Sequence, residues 1–532
     1  MQGRSLPKKR TGGETMPGLT KNPSFQDWIS ESFRKAGAST NTERSINERS
    51  RGGSVELESG LPKAPSWREF GRRQLTMIPL AAIIFYSVCG GPFGIEDSIK
   101  FGGPLAALSG LIVLPILWSV PEALVAAELS TMFPEDSGYV AWVSAAFGPF
   151  WGFVEGFCSW VSGVLDNSVY PLYLAKYFEW LFPSLKRTGP QRIFFLVAST
   201  VLTLWNYLGL TVVGRTAVVL SAIVLLPFAV MAGWAIPKIN PRNWTKFNSK
   251  QFSGSFMKYL NIMFWNLNYW DSVASLTGEV KAPGKTIPKA FGIAMVMVVL
   301  GYFIPVAVGT GVLGSVVEEG YFVDLGKVVG GPFLAGWITL SATASQIGLF
   351  EAEMSSDAFL ILGMAERGFL PRFMAMRSRH GTPTIGILMS SIGVVTMVMN
   401  FGFQDVVDLL NYAYCLGIAL EFAAFIKLRI KSPDAARPYR IPVSTFQACL
   451  MLLPATILIS ILLVVPWAER DSLMIGFNVI LIVSAVGTYY FLKWCRARFP
   501  QAFNPLEPVR VPVQTENNGD AEEEQQPLVA GG

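Results

Sequence analysis

The chain alternates long apolar stretches with short polar punctuation. Many of these stretches run for about twenty residues or more, the length a helix needs to cross a hydrocarbon core of about 30 Å. Such windows fall at 76–99, 104–131, 149–181, 191–208, 213–236, 257–278, 288–313, 332–362, 383–401, 404–429, 442–467 and 472–494. The pattern predicts an all-α polytopic membrane protein with twelve transmembrane helices. Two windows are interrupted: the first contains "SVCGGPFGIED", Ser87 to Asp97, and the sixth contains "NLNYWD", Asn266 to Asp271. Glycine loosens a helix and proline withholds its N–H, so helix 1 is expected to break inside the membrane. Irregular backbone at that depth survives only where protein encloses it or where it lines a cavity, because lipid offers no hydrogen bonds. Spans 1 and 6 each open a group of five. Discontinuous helices at corresponding positions of two halves point to a 5+5 inverted repeat with a substrate site between them.

Outside the windows the composition changes. Residues 1–73 are polar and rich in Ser, Gly, Arg and Lys, and 496–532 end on the acidic "DAEEEQQ". Both are expected to be disordered tails flanking a transporter domain at 74–495, since they hold too little apolar surface to offset ordering entropy. Within the first tail, Ser24, Phe25, Trp28, Ile29, Phe33 and Gly37 have the spacing of a short capped amphipathic helix. No secretory leader pattern precedes the first span, which is therefore expected to direct insertion itself. Lys and Arg crowd the short loops 281–289, 367–379 and 427–440. This bias puts both termini on the cytosolic side, although Lys238, Arg242, Lys246 and Lys250 of an outer loop run against it. That loop also carries the glycosylation triplet Asn243-Trp244-Thr245. Near the end, "EQQPLV" resembles an acidic sorting signal, so an internal membrane stands beside the plasma membrane as a destination.

Charge sharpens the picture. Only 15% of the residues are charged and 51% are hydrophobic, far from the soluble norm of about a quarter charged. Acids dominate the charges in and beside the windows: Glu96, Asp97, Glu122, Glu128, Glu155, Asp166, Asp271, Glu279, Glu351, Glu353, Asp357, Asp408 and Glu421, with hardly a Lys or Arg in their middle thirds. Ionisable groups at membrane depth are expensive and mark function by default, and a surplus of carboxylates selects cations. Glu155 and Asp166 are eleven residues apart, which on a helix keeps them on one face about 16 Å from each other, with Tyr170 beside Asp166. The aromatics Trp160, Trp265, Tyr269, Trp270, Tyr412 and Tyr414 suit alkylammonium groups and methylene linkers. Membrane-interface belts of Trp and Tyr, and solvated span ends for Glu96, Asp97, Glu279 and Asp408, are the plainer readings, and Glu128 could be tied to an inner loop. Gly152 and Gly156 have a helix-packing spacing. The five cysteines are scattered, His380 is the only histidine, and no phosphate-cradling or HExxH string occurs, so no metal, cofactor, nucleic acid or enzymatic activity is expected.

Five strings carry a wider likeness: "CGGPFGIED", "FPEDSGYVAW…FGPFWGF", "MFWNLNYWDSVASLTGEVKAPGKTIPKA", "GLFEAEMSSDAFLILGMAERGFLPRFMA" and "GTPTIGIL". Together they resemble the amino acid–polyamine–organocation superfamily, and within it most closely the polyamine uptake transporters of plants and algae. The likeness spans roughly Arg73 to Trp494. It implies a LeuT-like fold and proton-driven import of spermidine, spermine and putrescine by alternating access, with Trp265 as the aromatic gate. Ser87, Gly90 and Gly91 then lie in the unwound part of helix 1 and contact substrate. One departure stands out. Amino acid carriers of the superfamily usually show a GSGIF-like string whose backbone N–H groups hold a carboxylate, whereas here proline removes a donor and Glu96 and Asp97 add negative charge.

The expectation is therefore that Glu155, Asp166 and Asp271 take ammonium groups, while Trp265, Asn268, Tyr269 and Trp270 build the walls. With no histidine available, Glu351, Glu353 or Glu96 is expected to carry the coupling proton. Expected partners are a polyamine, protons and the bilayer, without an obligatory protein, as a monomer or weak oligomer. An importer of cationic or neutral amino acids is the alternative within the fold, and a ligand-sensing receptor with signalling tails is the alternative outside it.

Overall fold

The structure is a computed structural model that describes residues 74–512 apart from 180–181, 316, 318–319, 469, 507 and 510, together with Gln525–Gln526. The chain divides into two compact units, 1–66 and 67–532. The first unit, the amphipathic pattern at 24–37 and most of "EQQPLV" lie outside the described residues.

Helices account for nearly all of the described chain: α1 (Met77–Val88), α2 (Glu96–Leu114), α3 (Val120–Met132), α4 (Gly138–Phe147), α5 (Pro149–Glu179), α6 (Thr188–Asn206), α7 (Leu210–Ala235), α8 (Ser249–Trp265), α9 (Pro283–Leu313), α10 (Tyr321–Glu366), α11 (Thr384–Asn400), α12 (Phe403–Lys431), α13 (Thr445–Ala468) and α14 (Ser472–Arg498). A π-turn, Pro115–Ser119, joins α2 to α3. Seven helical segments among the described residues are long and apolar enough to cross a membrane. Large apolar side chains stand exposed along them, among them Phe446, Leu450, Ile457, Ile480 and Val483 on α13 and α14. A soluble protein does not show a belt of this extent, and the chain is an all-α, multi-pass membrane protein.

Helical structure stops in the two places where the apolar windows are interrupted. From Cys89 to Ile95 the chain turns through Gly90, Gly91 and Gly94, with φ of 60, 119 and 98°. Those angles lie in the left-handed region that side chains with a Cβ avoid. A Cβ on Gly94 would also stand 2.8 Å from Trp265 Cζ3. Between α8 and the 3₁₀ segment Ser272–Glu279 the backbone leaves the helix and turns through Asn266–Asp271. Tyr269 there adopts φ 66°, a conformation that costs a non-glycine residue about 1–3 kcal/mol.

The centre of the molecule is α5, which packs against α12, α10, α11 and α4, while α9 covers α1 and α10 packs along α7. At the end where α1 begins, Gln74 and Leu75 donate their N–H groups to Glu279 O, and Lys281 N–H returns to Leu75 O. Arg377 closes the same end, with Nη1 2.5 Å from Glu279 and Nη2 3.0 Å from Asp136 and 3.5 Å from Glu366. Burial, and next the Glu279 charge, push the Asp136 carboxyl well above the ordinary range, and Arg377 pulls against them. Arg367 binds Glu135 beside it.

Several expectations change here. Glu279 is buried and ion-paired, not solvated. Glu128 is fully buried between Arg429 and Arg437, because the loop after α12 folds back over it. The stretch after Phe133, expected as a connection, holds the buried helix α4. The tail boundary at 496 also moves: α14 runs to Arg498, and the chain stays packed to Pro512. Phe503, Val509 and Val511 are buried, Asn504 Nδ2 donates to Ala365 O, and Pro371 bridges Phe503. Three apolar side chains in a polar stretch suffice because the ends of α10 and α12 offer them a surface.

Glu128 supplies a test of the packing. Replacing Arg429 with Met leaves its carboxylate facing only Arg437, and removal of one partner of a buried pair costs about 3–5 kcal/mol. The variant is expected to unfold several degrees lower in detergent, and the double variant with Glu128→Leu is expected to recover most of that loss.

Candidate functional site

Beside the break after α1 lies a small cavity, with room for about a water molecule, lined by residues of α1, α5, α8, α9 and α10. Ligand sites typically hold roughly 300–1,000 Å³, so a ligand larger than water enters only as the surrounding helices part. Asp166 is the one ionisable carboxyl group in its wall, and none of its lining residues is basic. One Asp166 oxygen accepts the indole N–H of Trp265 at 2.8 Å, and the other accepts the hydroxyl of Tyr170. Tyr170 reaches it because a spacing of four residues sets both on one face of α5. Each oxygen keeps a second lone pair, so the carboxylate can still receive the N–H groups of a cation.

Aromatic rings close the cavity at the end away from Arg377. Trp265 stacks on Tyr173 with centroids 6.5 Å apart, and Phe403 meets both edge-on at 5.6 and 4.9 Å. Phe93 packs among Phe228, Phe322 and Tyr177. Tyr269, in the cavity wall, has its hydroxyl 2.5 Å from Ser162 and its ring 4.5 Å from Tyr414.

Behind Tyr269 lies a buried cluster of acids. Tyr414 OH accepts the N–H of Tyr269 and stands 2.6 Å from Glu122 Oε1 and 2.6 Å from Asp271 Oδ1. Its single proton serves one carboxyl group, so the other contact holds only if the carboxyl supplies a proton. Trp270 N–H also binds Glu122, at 2.7 Å. Glu421 is buried beside Asp271 and Glu155, with neither of its carboxyl oxygens hydrogen-bonded, and Ser159 donates to Glu155 at 2.7 Å. In a third group, Glu353 and Asp357 press on α5 at Gly163, where a Cβ would meet their oxygens at 2.9 and 2.0 Å. No group of His, Cys, Asp and Glu among the described residues is arranged to hold a metal ion.

Of the residues singled out in the sequence, Ser87, Asp166, Trp265 and Tyr269 meet in the cavity wall. Glu155 and Asp271 stand in the buried acidic cluster, so of the two acids eleven residues apart Asp166 lines the cavity and Glu155 does not. Trp270 is fully buried against Phe291, with its indole bonded to Leu267 O. Asn268 is fully buried with its amide unpartnered, and Gly90 and Gly91 turn the backbone behind Leu349 and Val224. Glu351 faces Asn206 and Ser355, away from the cavity. Trp160 binds Ser390 and Tyr412 touches Trp467, so neither belongs to the site. Glu96 Oε2 accepts Gly94 N–H at 2.6 Å, placing the chain's own carboxylate on a freed backbone donor. The sequence reading missed Gln346, Tyr302, Asn266 and the pairing of Glu122 with Tyr414. A lone glutamine in the apolar "SATASQIGLF" is the signal that would have found the first.

Tyr269→Phe removes the bond to Ser162 but keeps the ring. Ligand binding, read as a thermal shift of purified protein, is expected to weaken by about three- to tenfold, the scale of one neutral hydrogen bond. Tyr269→Gly relieves the backbone strain but is expected to bind more weakly than Tyr269→Phe.

The amino acid permease family profile matches residues 75–491. A probable polyamine transporter of Arabidopsis thaliana is 48% identical over 458 residues, covering 84% of this chain and 94% of the relative. The polyamine transporter RMV1 of the same plant is 47% identical over 414 residues, 77% of this chain and 84% of its own. The polyamine transporter PUT1 of Oryza sativa subsp. japonica is 49% identical over 394 residues, 74% of each. With a match over this length and relatives this similar, the chain belongs to the amino acid permease family.

Proposed function

We propose that the protein is a proton-coupled importer of polyamines, with twelve membrane-spanning helices arranged as a LeuT-like 5+5 inverted repeat. Segments 77–102 and 249–279, each broken in its middle, are the first helices of the two repeats. The observation that carries the substrate reading is the cavity itself: one carboxylate, Asp166, among aromatic and apolar walls, with no basic residue to hold an acid. A linear polyamine offers ammonium groups for the carboxylate and methylenes for the rings. An amino acid also needs a seat for its carboxylate. Glu96 already occupies the Gly94 N–H, which weighs against that cargo. The polyamine transporters among the relatives support the same cargo.

The rest of the assignment follows the acids. Asp166 takes the first ammonium group, and Asp271 and Glu155 wait beyond Tyr269, with Trp265 as the gate. Proton coupling rests on the buried carboxyls: the Glu122–Asp271 pair bridged by Tyr414 needs a shared proton, Glu353 lies against Asp357, and Glu351 and Glu96 are further carriers. Inward opening requires release of the Arg377 ion pairs. The basic loops support a cytosolic position for both termini, on either side of the membrane domain, in a protein of the plasma membrane that works without an obligatory partner.

Radiolabelled spermidine uptake into proteoliposomes at two external pH values, challenged with putrescine, arginine and leucine, tests the reading. Acid-stimulated uptake that putrescine blocks and the amino acids leave untouched is expected; uptake of arginine or leucine in its place would reverse the substrate assignment. Tyr414→Phe is expected to lose acid stimulation while still binding spermidine. Glu351→Gln that keeps full pH dependence would remove Glu351 from the proton route.

A further inference from the structure

The cavity has two unlike walls. Asp166 stands on α5, with the Trp265 indole and the Tyr170 hydroxyl committed to it. Ser87 of α1 and Gln346 of α10 also line the cavity. Ser87 Oγ and Gln346 Oε1 are buried and have no hydrogen-bond partner. Buried acceptors are almost always satisfied, because an unmade bond carries the full penalty of desolvation. Two unsatisfied oxygens in the wall of a ligand cavity therefore call for a donor that the protein does not supply. Tyr302, also in that wall, is unavailable, since its hydroxyl is spent on Asn266 Oδ1 at 3.0 Å.

We infer that Gln346, with Ser87, is the acceptor for a second nitrogen of the substrate, the first ammonium being held at Asp166. The inference rests on the polyamine reading and adds to it a rule of selection. A monoamine satisfies the carboxylate and leaves both oxygens empty; a diamine or triamine satisfies the two walls together. The second seat is neutral, which suits a carrier. An amide accepts N–H groups from an ammonium or a secondary amine without adding a charge to the site, so the cargo is recognised along its length yet remains able to leave. A site that hydrogen-bonds a polar group also rejects analogues lacking it more strongly than an apolar pocket does.

The test uses the full chain in proteoliposomes, with KM and Vmax for radiolabelled spermidine and inhibition constants for putrescine and n-butylamine. Gln346→Leu is expected to raise the spermidine KM about tenfold, the loss of one hydrogen bond from a charged donor, and to leave the butylamine constant unchanged. A purely structural role would move all three constants, or Vmax alone. Gln346→Glu keeps the shape of the side chain and is expected to tighten spermidine relative to butylamine. A spermidine-to-butylamine ratio unchanged in both variants overturns the inference. Wild-type protein that fails to take up spermidine at all would instead overturn the polyamine reading on which it stands.

Discussion

Two short lengths of backbone, 89–95 and 266–271, leave the helix inside an apolar slab, and the rest of the site follows from how their hydrogen bonds are met. Lipid offers none. Tyr269 N–H finds Tyr414, Trp270 N–H finds Glu122, Gly94 N–H finds Glu96, and Leu267 O accepts from Ser119. The polar side chains buried around the breaks are thus first of all the partners of broken backbone. Their surplus capacity is what a substrate or a proton can use. Glu122 shows both roles, because the carboxylate that secures Trp270 is the one that shares Tyr414 with Asp271.

The two ends of the cavity are closed by different chemistry. Rings of α5, α8 and α12 stack at one end and can part without leaving any charge exposed to an apolar surrounding. Ion pairs close the other, where Arg377 ties the segment after the second break to Asp136 and to the end of α10. Ion pairs release more readily where water can reach the freed charges, so this second closure belongs at a wetted face. Between the two closures the buried ionisable groups are carboxyls, and that single sign makes the interior receptive to organic cations and to protons alike.

Much of this was legible in the chain because it rests on local rules. Windows of apolar residues mark helices, Gly-Gly-Pro-x-Gly marks a break, and acids at membrane depth mark chemistry. Asp166, Trp265, Tyr269 and Ser87 could be singled out on those grounds. The reading stopped short where neighbours decide. Glu351 has the same signature as Asp166, but its neighbours are Asn206 and Ser355 of a packed helix pair. Glu155 has the right spacing from Asp166, yet Tyr269 stands between them. Phe503, Val509 and Val511 looked too sparse to order a tail, and they pack only because helix ends from distant parts of the chain are adjacent.

The sequence by itself determined that the chain is helical, that it lives in a membrane, where two helices break and which sign of charge the interior carries. Each of these follows from the composition and order of about twenty residues at a time. Only the tertiary structure decided which acids cluster, which tyrosine bridges which pair, and that Gln346 and Asp166 line one cavity. Those relations join residues more than a hundred positions apart, and helix packing alone sets their separation.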